Sequence, residues 1–344
     1  MSELAKSPSL STSGDVLLIL ARREGLFSLV FQVLGLAHLA EKAGLTPVVY
    51  FNRQCLYWSD QGYQGSRNVW EYFFEPLSSV KIENLFSLDT IVSEDLSLEQ
   101  FRELTRGTRV KVTNTYPDVV EYWSPLGIQS ERNFVHRLMS KYMVFKPVIR
   151  AKADAYSQSC FGPNSVIGVH YRGQEKASGS DGVVRGRTRE LKRAFFREMR
   201  SQIERRPGSR LFVATDSASF LDEAKEAFGD AVLFREARRL PTDNESVGLH
   251  FTSDAQKYGA VLAEEVLIDA LLLARTNCFI HGISNVSNAV LYMNPQLEHT
   301  DIELRTTPGT IYLRREFFRR LEKLLPGPVR FTKRLLGRSQ IAPW

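Results

Sequence analysis

The chain has 344 residues, of which 43% are hydrophobic and 24% charged, and its formal net charge at pH 7 is +6. These values are ordinary for a soluble globular protein, and the length allows two domains with a sizeable core. The positive charge favours an anionic partner, a description that nucleic acid, nucleotide, phosphosugar and acidic lipid all satisfy.

Membrane-spanning and disulfide-rich proteins do not match this sequence. No apolar run approaches the roughly 18 residues of a membrane span, and residues 1–14 lack the apolar core of a signal peptide. The three cysteines, Cys55, Cys160 and Cys278, form neither a CxxC pair nor a Cys/His metal spacing. We therefore expect buried free thiols and a cytoplasmic protein, peripheral to a membrane at most.

The first half of the chain predicts a βαβ unit after a disordered N-terminus at residues 1–14. Residues 15–21, "DVLLILA", are a continuous apolar run typical of a buried parallel strand. Apolar residues then recur at helical spacing over 27–43, and "TPVVYF" is the next strand. Further along, "RVKVTN" at 109–114 predicts a strand, and 132–156 predicts a helix interrupted at Pro147.

The second half repeats the alternation of strands and helices. The predicted strands are 166–170, 210–216, 231–236 and 278–282, and the predicted helices are 189–203, 217–228, 259–275 and 285–293. Two such series predict an α/β protein with two Rossmann-type domains that face a cleft. The predicted ranges are 15–155 for the N-terminal α/β domain, 156–304 for the C-terminal domain, and 305–344 for a basic amphipathic tail.

The tail, which contains "YLRREFFRRLEKLLPGPVRFTKRLLGR", allows three interpretations. It is a helix that packs on the N-terminal domain, a segment that contacts an acidic membrane surface, or a nucleic-acid-binding segment. No recognised nucleic-acid-binding module supports the last interpretation.

Polar residues cluster where predicted strands end, and ligands of open α/β sheets bind outside these carboxyl ends. The four clusters are Arg22–Ser28, His170–Lys176, Asp216–Ser217 and His281–Ser287. Neither GxGxxG nor GxxxxGK[ST] is present in the first of them, which argues against a dinucleotide fold or a P-loop. Its backbone can still receive an anion at the start of the next helix, or Gly25 can simply serve a turn.

Each of the later clusters has a functional and a structural interpretation. Gly282 allows close approach of a ligand, and Ser284 or Asn285 either presents donors to a phosphate or only caps a helix. Asp216 either accepts two hydrogen bonds from a base edge such as that of guanine or caps the helix that follows. No DxD and no other spacing of acids and histidines indicates a metal site.

The stretch "VIGVHYRGQEK" (166–176) is the most specific, because an apolar strand ends abruptly in charged residues. Arg172 can fork onto phosphate oxygens and Lys176 can add a point charge, and together they would stabilise a diphosphate leaving group. Glu175 can orient a basic side chain or take a proton from an acceptor hydroxyl. The alternative is a surface ion-pair cluster, which contributes little to stability.

These motifs resemble the fucosyltransferase superfamily, which includes the nodulation-factor, core and protein O-fucosyltransferases. "HYRGQEK" is similar to the first motif of that family, "LFVATD" to the second, and "LIDALLLARTNCFIHGISNVSNAV" to the third. The early "REGLFSLVFQVLGLAHLAEKAG" resembles its N-terminal glycine loop and helix. The resemblance covers roughly residues 15–295, and only the three C-terminal motifs are specific.

The resemblance implies a GT-B-like fold with the acceptor on the side of the N-terminal domain. It also implies a GDP-fucose donor on the second domain and inverting transfer without a metal or other cofactor. The catalytic group would be Arg172, Glu175 and Lys176. The donor-binding group would be Gly25, His170, Asp216, Ser284, Asn285 and Ser287, with Asp216 on the guanine.

Three positions depart from the pattern of the family. Glu175 stands where aspartate is usual, and Gly173 stands where the core enzymes have a second arginine. The acid that serves as base in the core enzymes corresponds here to Ser180, with Asp181 beside it. The general base is therefore open between Glu175, which we favour, Asp181 and none.

We thus expect a fucosyltransferase that uses GDP-fucose and a glycan or lipid-linked oligosaccharide as acceptor, with no nucleic-acid partner and an optional membrane contact through the tail. Two alternatives stay open, namely a glycosyltransferase with a different nucleotide sugar and a non-catalytic nucleotide- or anion-binding protein.

Overall fold

The structure, a computed structural model, describes residues 14–86, 95–117, 119–120, 129–173, 188–241, 249 and 252–306. The candidate residues Glu175, Lys176 and Asp181 lie outside this part of the chain. The predicted disordered N-terminus, up to residue 13, and the basic tail from residue 307 onward lie outside it as well.

The chain divides into two compact units. The described parts of Met1–Ser124, Ile128–Ala155 and His250–Ala270 form the first, and those of Pro125–Gly127, Tyr156–Leu249 and Leu271–Trp344 form the second.

The first unit is built on a parallel sheet with the strand order β2-β1-β3. Its strands are β1 (Val16–Leu20), β2 (Thr46–Tyr50) and β3 (Val110–Thr113), and its helices are α1 (Leu26–Lys42), α2 (Leu98–Leu104), α3 (Gln129–Tyr142) and α4 (Pro147–Tyr156), of which α4 ends at the unit boundary. The strand β1 lies in the centre because all five of its residues are apolar, and Leu18 and Ile19 are fully buried.

The second unit has a five-stranded parallel sheet with the order β6-β5-β4-β7-β8. The strands are β4 (Val166–Tyr171), β5 (Arg210–Thr215), β6 (Val232–Leu233), β7 (Cys278–His281) and β8 (Glu298–Asp301). Its helices are α5 (Thr188–Arg205), α6 (Ala218–Phe228), α8 (Asn285–Met293) and α9 (Ile302–Thr306); α7 (Ser253–Leu273) belongs mostly to the first unit and only its last residues belong to the second. This strand order is that of a Rossmann-like half with right-handed crossovers as the expected connections.

The core of the second unit is aromatic where β4 meets its helices. Tyr171 stacks on Phe220 with ring centroids 4.0 Å apart and an interplanar angle of 5°, and Phe195 meets Tyr171 edge-on at 5.3 Å. All three side chains are essentially inaccessible to solvent. This packing fixes the carboxyl end of β4, at which the charged cluster begins.

The helix α7 starts in the first unit, although the sequence assigns its residues to the second domain. Glu264 accepts hydrogen bonds from Tyr63 Oη at 2.9 Å and Lys152 Nζ at 2.5 Å. A Cβ on Gly259 would lie 2.6 Å from the carbonyl oxygen of Leu56, so only glycine allows this approach. Residues 250–270 therefore group with the first unit.

Each strand that the sequence predicts has a counterpart in the structure, and α2, α9 and β8 were not predicted. All three are short, and the "EHTD" of β8 lacks the apolar alternation that predicts a strand. Among the described helices, none combines the length and the hydropathy needed to cross a membrane.

Candidate functional site

The second sheet reverses its strand order at β4. From β4 the chain continues to β5 and β6 on one side, and β7 and β8 lie on the other. In sheets of this kind, ligands bind at the carboxyl ends of the two strands between which the order reverses, here β4 and β7. The ends of these strands are neighbours, because His170, one residue before the end of β4, is the register partner of His281, the last residue of β7.

His170 is buried, with 9% of its surface exposed. Its Nδ1 lies 3.2 Å from the carbonyl oxygen of Ala214 in β5. A carbonyl only accepts, so Nδ1 carries the hydrogen in this contact. In the neutral ring Nε2 is then an acceptor, and it becomes a donor to an anion when the ring is protonated.

Arg172 follows β4 directly, and the backbone after it is held by Asp216. The N–H of Gly173 donates to Asp216 Oδ1 at 2.7 Å. Arg172 is half-buried and Gly173 is buried. Asp216 thus connects the turn after β4 to the end of β5, and it fixes the backbone from which the Arg172 side chain starts.

Asp216 is not the cap of the helix that follows it, which corrects the structural alternative. Ser217 is the N-cap of α6, and its side chain accepts the N–H of Phe220 at 3.1 Å. The backbone of Asp216 is also fixed, because its carbonyl accepts the N–H of Leu240 at 2.7 Å. The Asp216 carboxylate therefore does not cap α6, and its Oδ1 holds the turn after β4.

The turn between β7 and α8 contains the other predicted donor-binding residues. Ser284 is the N-cap of α8, and its Oγ accepts the N–H of Ser287 at 3.0 Å. Ser287 is 1% exposed, and its hydroxyl lies 2.9 Å from that of Ser284. Asn285, the first residue of α8, is half-buried. The capping interpretation thus accounts for the side chains of Ser284 and Ser287.

Sequence reasoning missed Glu303, which contacts the same turn. Its Oε1 accepts the N–H of Ile283 at 2.9 Å, and a Cβ on Gly282 would lie 2.7 Å from that oxygen. The close approach that Gly282 permits is therefore that of the Glu303 carboxylate. No local pattern identifies this contact, because the two residues lie 20 positions apart.

A second contact missed from sequence joins two histidines. His281 Nε2 lies 2.9 Å from His299 Nδ1, and His281 Nδ1 lies 3.0 Å from the carbonyl oxygen of Gly282. By the same argument as for His170, the Nδ1 of His281 carries the hydrogen, so Nε2 accepts from His299 when both rings are neutral. His281, which is 4% exposed, thus joins β7 to β8.

The candidate residue Gly25 lies in the first unit, at the N-cap of α1, with φ −62° and ψ 152°. Any residue adopts these angles, so a turn does not require glycine here. The N–H of Leu26 donates to Tyr57 Oη at 2.8 Å. One amide at the start of α1 is thus engaged within the protein.

Metal-binding and thiol chemistry receive no support from the described residues. Within that part of the chain, no group of three or more His, Cys, Asp or Glu side chains is arranged to hold a metal ion. Burial raises the pKa of the Cys55 thiol to about 12 and that of Cys278 to about 11. These two cysteines are buried and free, as the sequence predicts, and their thiols are unreactive at neutral pH; Cys160 is also free but only half-buried, which corrects that part of the prediction.

The candidate residues therefore divide into three groups. At the switch point of the second sheet, His170, Arg172 and Asp216 lie at the ends of β4 and β5, and Ser284, Asn285 and Ser287 lie at the end of β7. Gly25 belongs to the first unit. Glu175 and Lys176 lie outside the described residues.

Comparison of the chain with known proteins identifies its fold but no sequence family. No protein-family profile matches the chain, and no curated protein sequence matches it significantly. Solved structures do match. NodZ alpha-1,6-fucosyltransferase co-crystallised with GDP aligns with a TM-score of 0.51 and 19% identity, over 83% of this chain and 93% of the other. For fucosyltransferase NodZ from Bradyrhizobium with selenomethionine the TM-score is 0.51 and the identity 20%, over the same shares of the two chains.

The structure of POFUT1 in its apo form also matches, with a TM-score of 0.51 and 13% identity over 85% of this chain and 99% of that one. POFUT1 in complex with GDP matches with a TM-score of 0.50 and 11% identity over the same shares. At this level of identity the likeness establishes the fold. The predicted α/β, GT-B-like fold class is confirmed, and the chain shares it with these structures.

Proposed function

We propose that this protein is a fucosyltransferase that transfers fucose from GDP-fucose to a glycan or oligosaccharide acceptor, with inversion and without a metal ion. The observation that carries the proposal is the switch point of the second sheet, where Arg172 follows the central strand beside the start of α8. Support also comes from the shared fold, since NodZ alpha-1,6-fucosyltransferase was co-crystallised with GDP and POFUT1 was crystallised in complex with GDP.

The diphosphate of the donor would bind between the turn after β4 and the start of α8. The guanidinium of Arg172 matches two phosphate oxygens in a bidentate geometry. The start of α8 adds N–H donors and the positive end of the helix dipole. Among the described contacts, none engages the amides of Asn285 and Val286, and these would be the donors.

The guanine would lie at the end of β5, where Asp216 is the candidate that reads it. A carboxylate accepts from the N1–H and the 2-amino group of guanine, a pattern that adenine and the pyrimidines do not offer. Oδ1 of Asp216 already accepts the N–H of Gly173. The carboxylate would therefore hold the turn after β4 and read the base at the same time.

In the reaction, an acceptor hydroxyl would attack the anomeric carbon as the bond to the diphosphate breaks. Arg172 would stabilise the charge that develops on departing GDP, and a protonated His170 would add a donor. Lys176 is the candidate for a further positive charge. Glu175 is the candidate base that takes the hydroxyl proton, with Asp181 as its alternative, and all three lie outside the described residues.

A nucleotide panel tests the proposal. GDP should raise the melting temperature of the protein by several degrees at about 100 times its Kd, because that occupancy stabilises the folded state by about 2.7 kcal/mol. UDP, CMP and ADP should have no comparable effect. Slow hydrolysis of GDP-fucose in the presence of EDTA should then establish a metal-independent donor reaction.

Each other outcome identifies a different function. Stabilisation by UDP but not by GDP would indicate another nucleotide sugar as donor. Binding of GDP without turnover of any GDP-sugar, in the presence of an acceptor panel, would indicate a non-catalytic nucleotide-binding protein. Salt-sensitive binding of DNA without nucleotide binding would reject the proposal altogether.

A further inference from the structure

Glu303 lies in α9 and reaches the turn that precedes α8. Its Oε1 accepts the N–H of Ile283 at 2.9 Å, and it occupies the space in which a side chain at position 282 would lie. The carboxylate therefore contacts one backbone donor of a turn whose other donors are candidates for the nucleotide diphosphate.

The short helix α9 is itself fixed to the body of the second unit. Ile302 is 2% exposed and belongs to the core. Arg305 donates to Glu198 Oε2 at 2.8 Å, and Glu198 Oε1 accepts from Thr300 Oγ1 at 3.1 Å. Because its neighbours on both sides are anchored, Glu303 makes its contact with Ile283 from a fixed backbone.

Glu303 can affect an anion at the start of α8 in two opposite ways. If it holds the turn, it keeps the amides of Asn285 and Val286 directed outward, and binding of the anion improves. If it competes with the anion for the N–H of Ile283, or repels it, binding becomes weaker. The geometry favours the first effect, because Ser284 also fixes the turn by capping α8, which leaves the next two amides to a ligand.

We propose that Glu303 is a positioning residue for the nucleotide diphosphate, which acts by holding the Gly282–Ser284 turn at the start of α8. The ligand in this inference is the one that the proposed function names, so the inference rests on that function. The hold of Glu303 on the turn is a property of the protein without nucleotide and is measurable separately.

Three variants and one control test the proposal. Glu303→Ala removes the acceptor, and Gly282→Ala displaces the carboxylate by its added Cβ. Glu303→Gln keeps an amide oxygen at the same position and is the conservative rescue. Glu226→Ala removes an exposed carboxylate from α6 of the same unit and serves as the matched control.

The affinities for GDP and for guanosine are measured by calorimetry. Glu303→Ala and Gly282→Ala should weaken GDP binding about tenfold, the effect of one hydrogen bond to a charged group. Guanosine, which lacks the diphosphate, should bind these variants as it binds the wild type. Glu303→Gln should stay within about threefold of the wild type, because its oxygen still accepts the N–H of Ile283.

Hydrogen exchange without nucleotide gives the second readout. The amide of Ile283, which donates to Glu303, should exchange faster in Glu303→Ala than in Glu303→Gln or Glu226→Ala, with the melting temperatures of all variants close together. Unchanged exchange in Glu303→Ala, or a GDP affinity that stays equal or rises, overturns the inference. Failure of the wild type to bind GDP instead overturns the proposed function, and the exchange data still decide whether Glu303 holds the turn.

Discussion

The two sheets of this protein each place an arginine after their central strand, but the two arginines have different surroundings. Arg22 follows β1, and its guanidinium donates to Ser28 Oγ at 2.7 Å and to Gln32 Oε1 at 3.2 Å, both in α1. It also lies over the ring of Tyr116 at 5.0 Å. Its charge therefore supports the fold of the first unit.

Arg172 follows β4, and the residue after it, Gly173, is held by a hydrogen bond from its backbone N–H. The acceptor is the carboxylate of Asp216, so a residue other than Arg172 fixes the turn. The strand β7, which pairs with β4, leads to the start of α8, which Ser284 caps. The two arginines thus differ in their surroundings, because Arg22 donates to α1 itself, whereas Arg172 lies at the start of a turn whose backbone Asp216 holds next to the strand that leads to α8.

The largest expected effect is that of Arg172→Ala on nucleotide binding and transfer. Loss of the bidentate donor should lower fucosyl transfer by about 10²–10³-fold. The transfer rate of Arg172→Lys should lie between those of the wild type and Arg172→Ala, because an ammonium keeps the charge but cannot bind two phosphate oxygens in the bidentate geometry of a guanidinium. Initial rates with GDP-fucose and melting temperatures check this. Near-normal turnover in Arg172→Ala, with its fold intact, would remove Arg172 from the mechanism.

The second prediction concerns Glu198, which anchors the helix that carries Glu303. Glu198 is 9% exposed, and it accepts from Gln202 Nε2 at 2.7 Å and from Arg305 at 2.8 Å. Glu198→Ala leaves the buried amide of Gln202 without its acceptor, while the 58% exposed side chain of Arg305 can turn to water, so the free energy of unfolding should fall by about 1–3 kcal/mol. Urea denaturation followed by α-helical circular dichroism measures this fall.

The same residue predicts a dependence on pH. Burial raises the pKa of Glu198, but the hydrogen bond from Gln202, the charge of Arg305 and the hydrogen bond from Thr300 outweigh burial, and the net pKa lies below its ordinary value. A carboxyl whose pKa is lower in the folded state stabilises the protein above its unfolded pKa, about 4.3. This stability is lost as the pH falls through the folded pKa.

Unfolding at pH 7 and at successively lower pH, below about 4.3, should therefore show a smaller acid dependence in Glu198→Gln than in the wild type.

For the alanine variant of Glu198, Glu298 is the matched control, since it pairs with Arg206 at 2.6 Å but its side chain is 58% exposed. Glu298→Ala should cost at most about 1 kcal/mol. An equal cost in both alanine variants would argue against a special role for the buried carboxylate.

The outlines of both sheets, apart from β8, were predictable from sequence, because central strands such as β1 and β4 are largely apolar runs bounded by charge. The position of Arg172 directly after β4 was also predictable, because it depends only on the local sequence. Glu303 and His299 were not predictable, because each is defined by a contact with the turn or strand that lies about 20 residues earlier. That most of α7 belongs to the first unit was not predictable for the same reason, since the contacting residues Tyr63 and Glu264 are 201 positions apart.

A smaller effect is expected for Arg22→Ala, and it should be on stability rather than on nucleotide binding. The variant loses two side-chain hydrogen bonds and the contact with Tyr116, which together stabilise the first unit by about 1–2 kcal/mol. Arg23→Ala, at the exposed neighbouring position, is the control and should be neutral. A tenfold loss of GDP affinity in Arg22→Ala, with no loss of stability, would place Arg22 in the donor site and remove the contrast with Arg172.

The smallest effect on the fold is expected for Gly25→Ala. Alanine reduces the freedom of the unfolded chain and adopts φ −62° and ψ 152° without strain, but it is a poorer N-cap than glycine. These effects oppose each other, so the free energy of unfolding should change by no more than about 0.5 kcal/mol. If Gly25 borders the donor, as the resemblance to fucosyltransferases implies, the KM for GDP-fucose should rise in this stable variant. An unchanged KM would mean that the start of α1, like Arg22 beside it, serves the fold of the first unit alone.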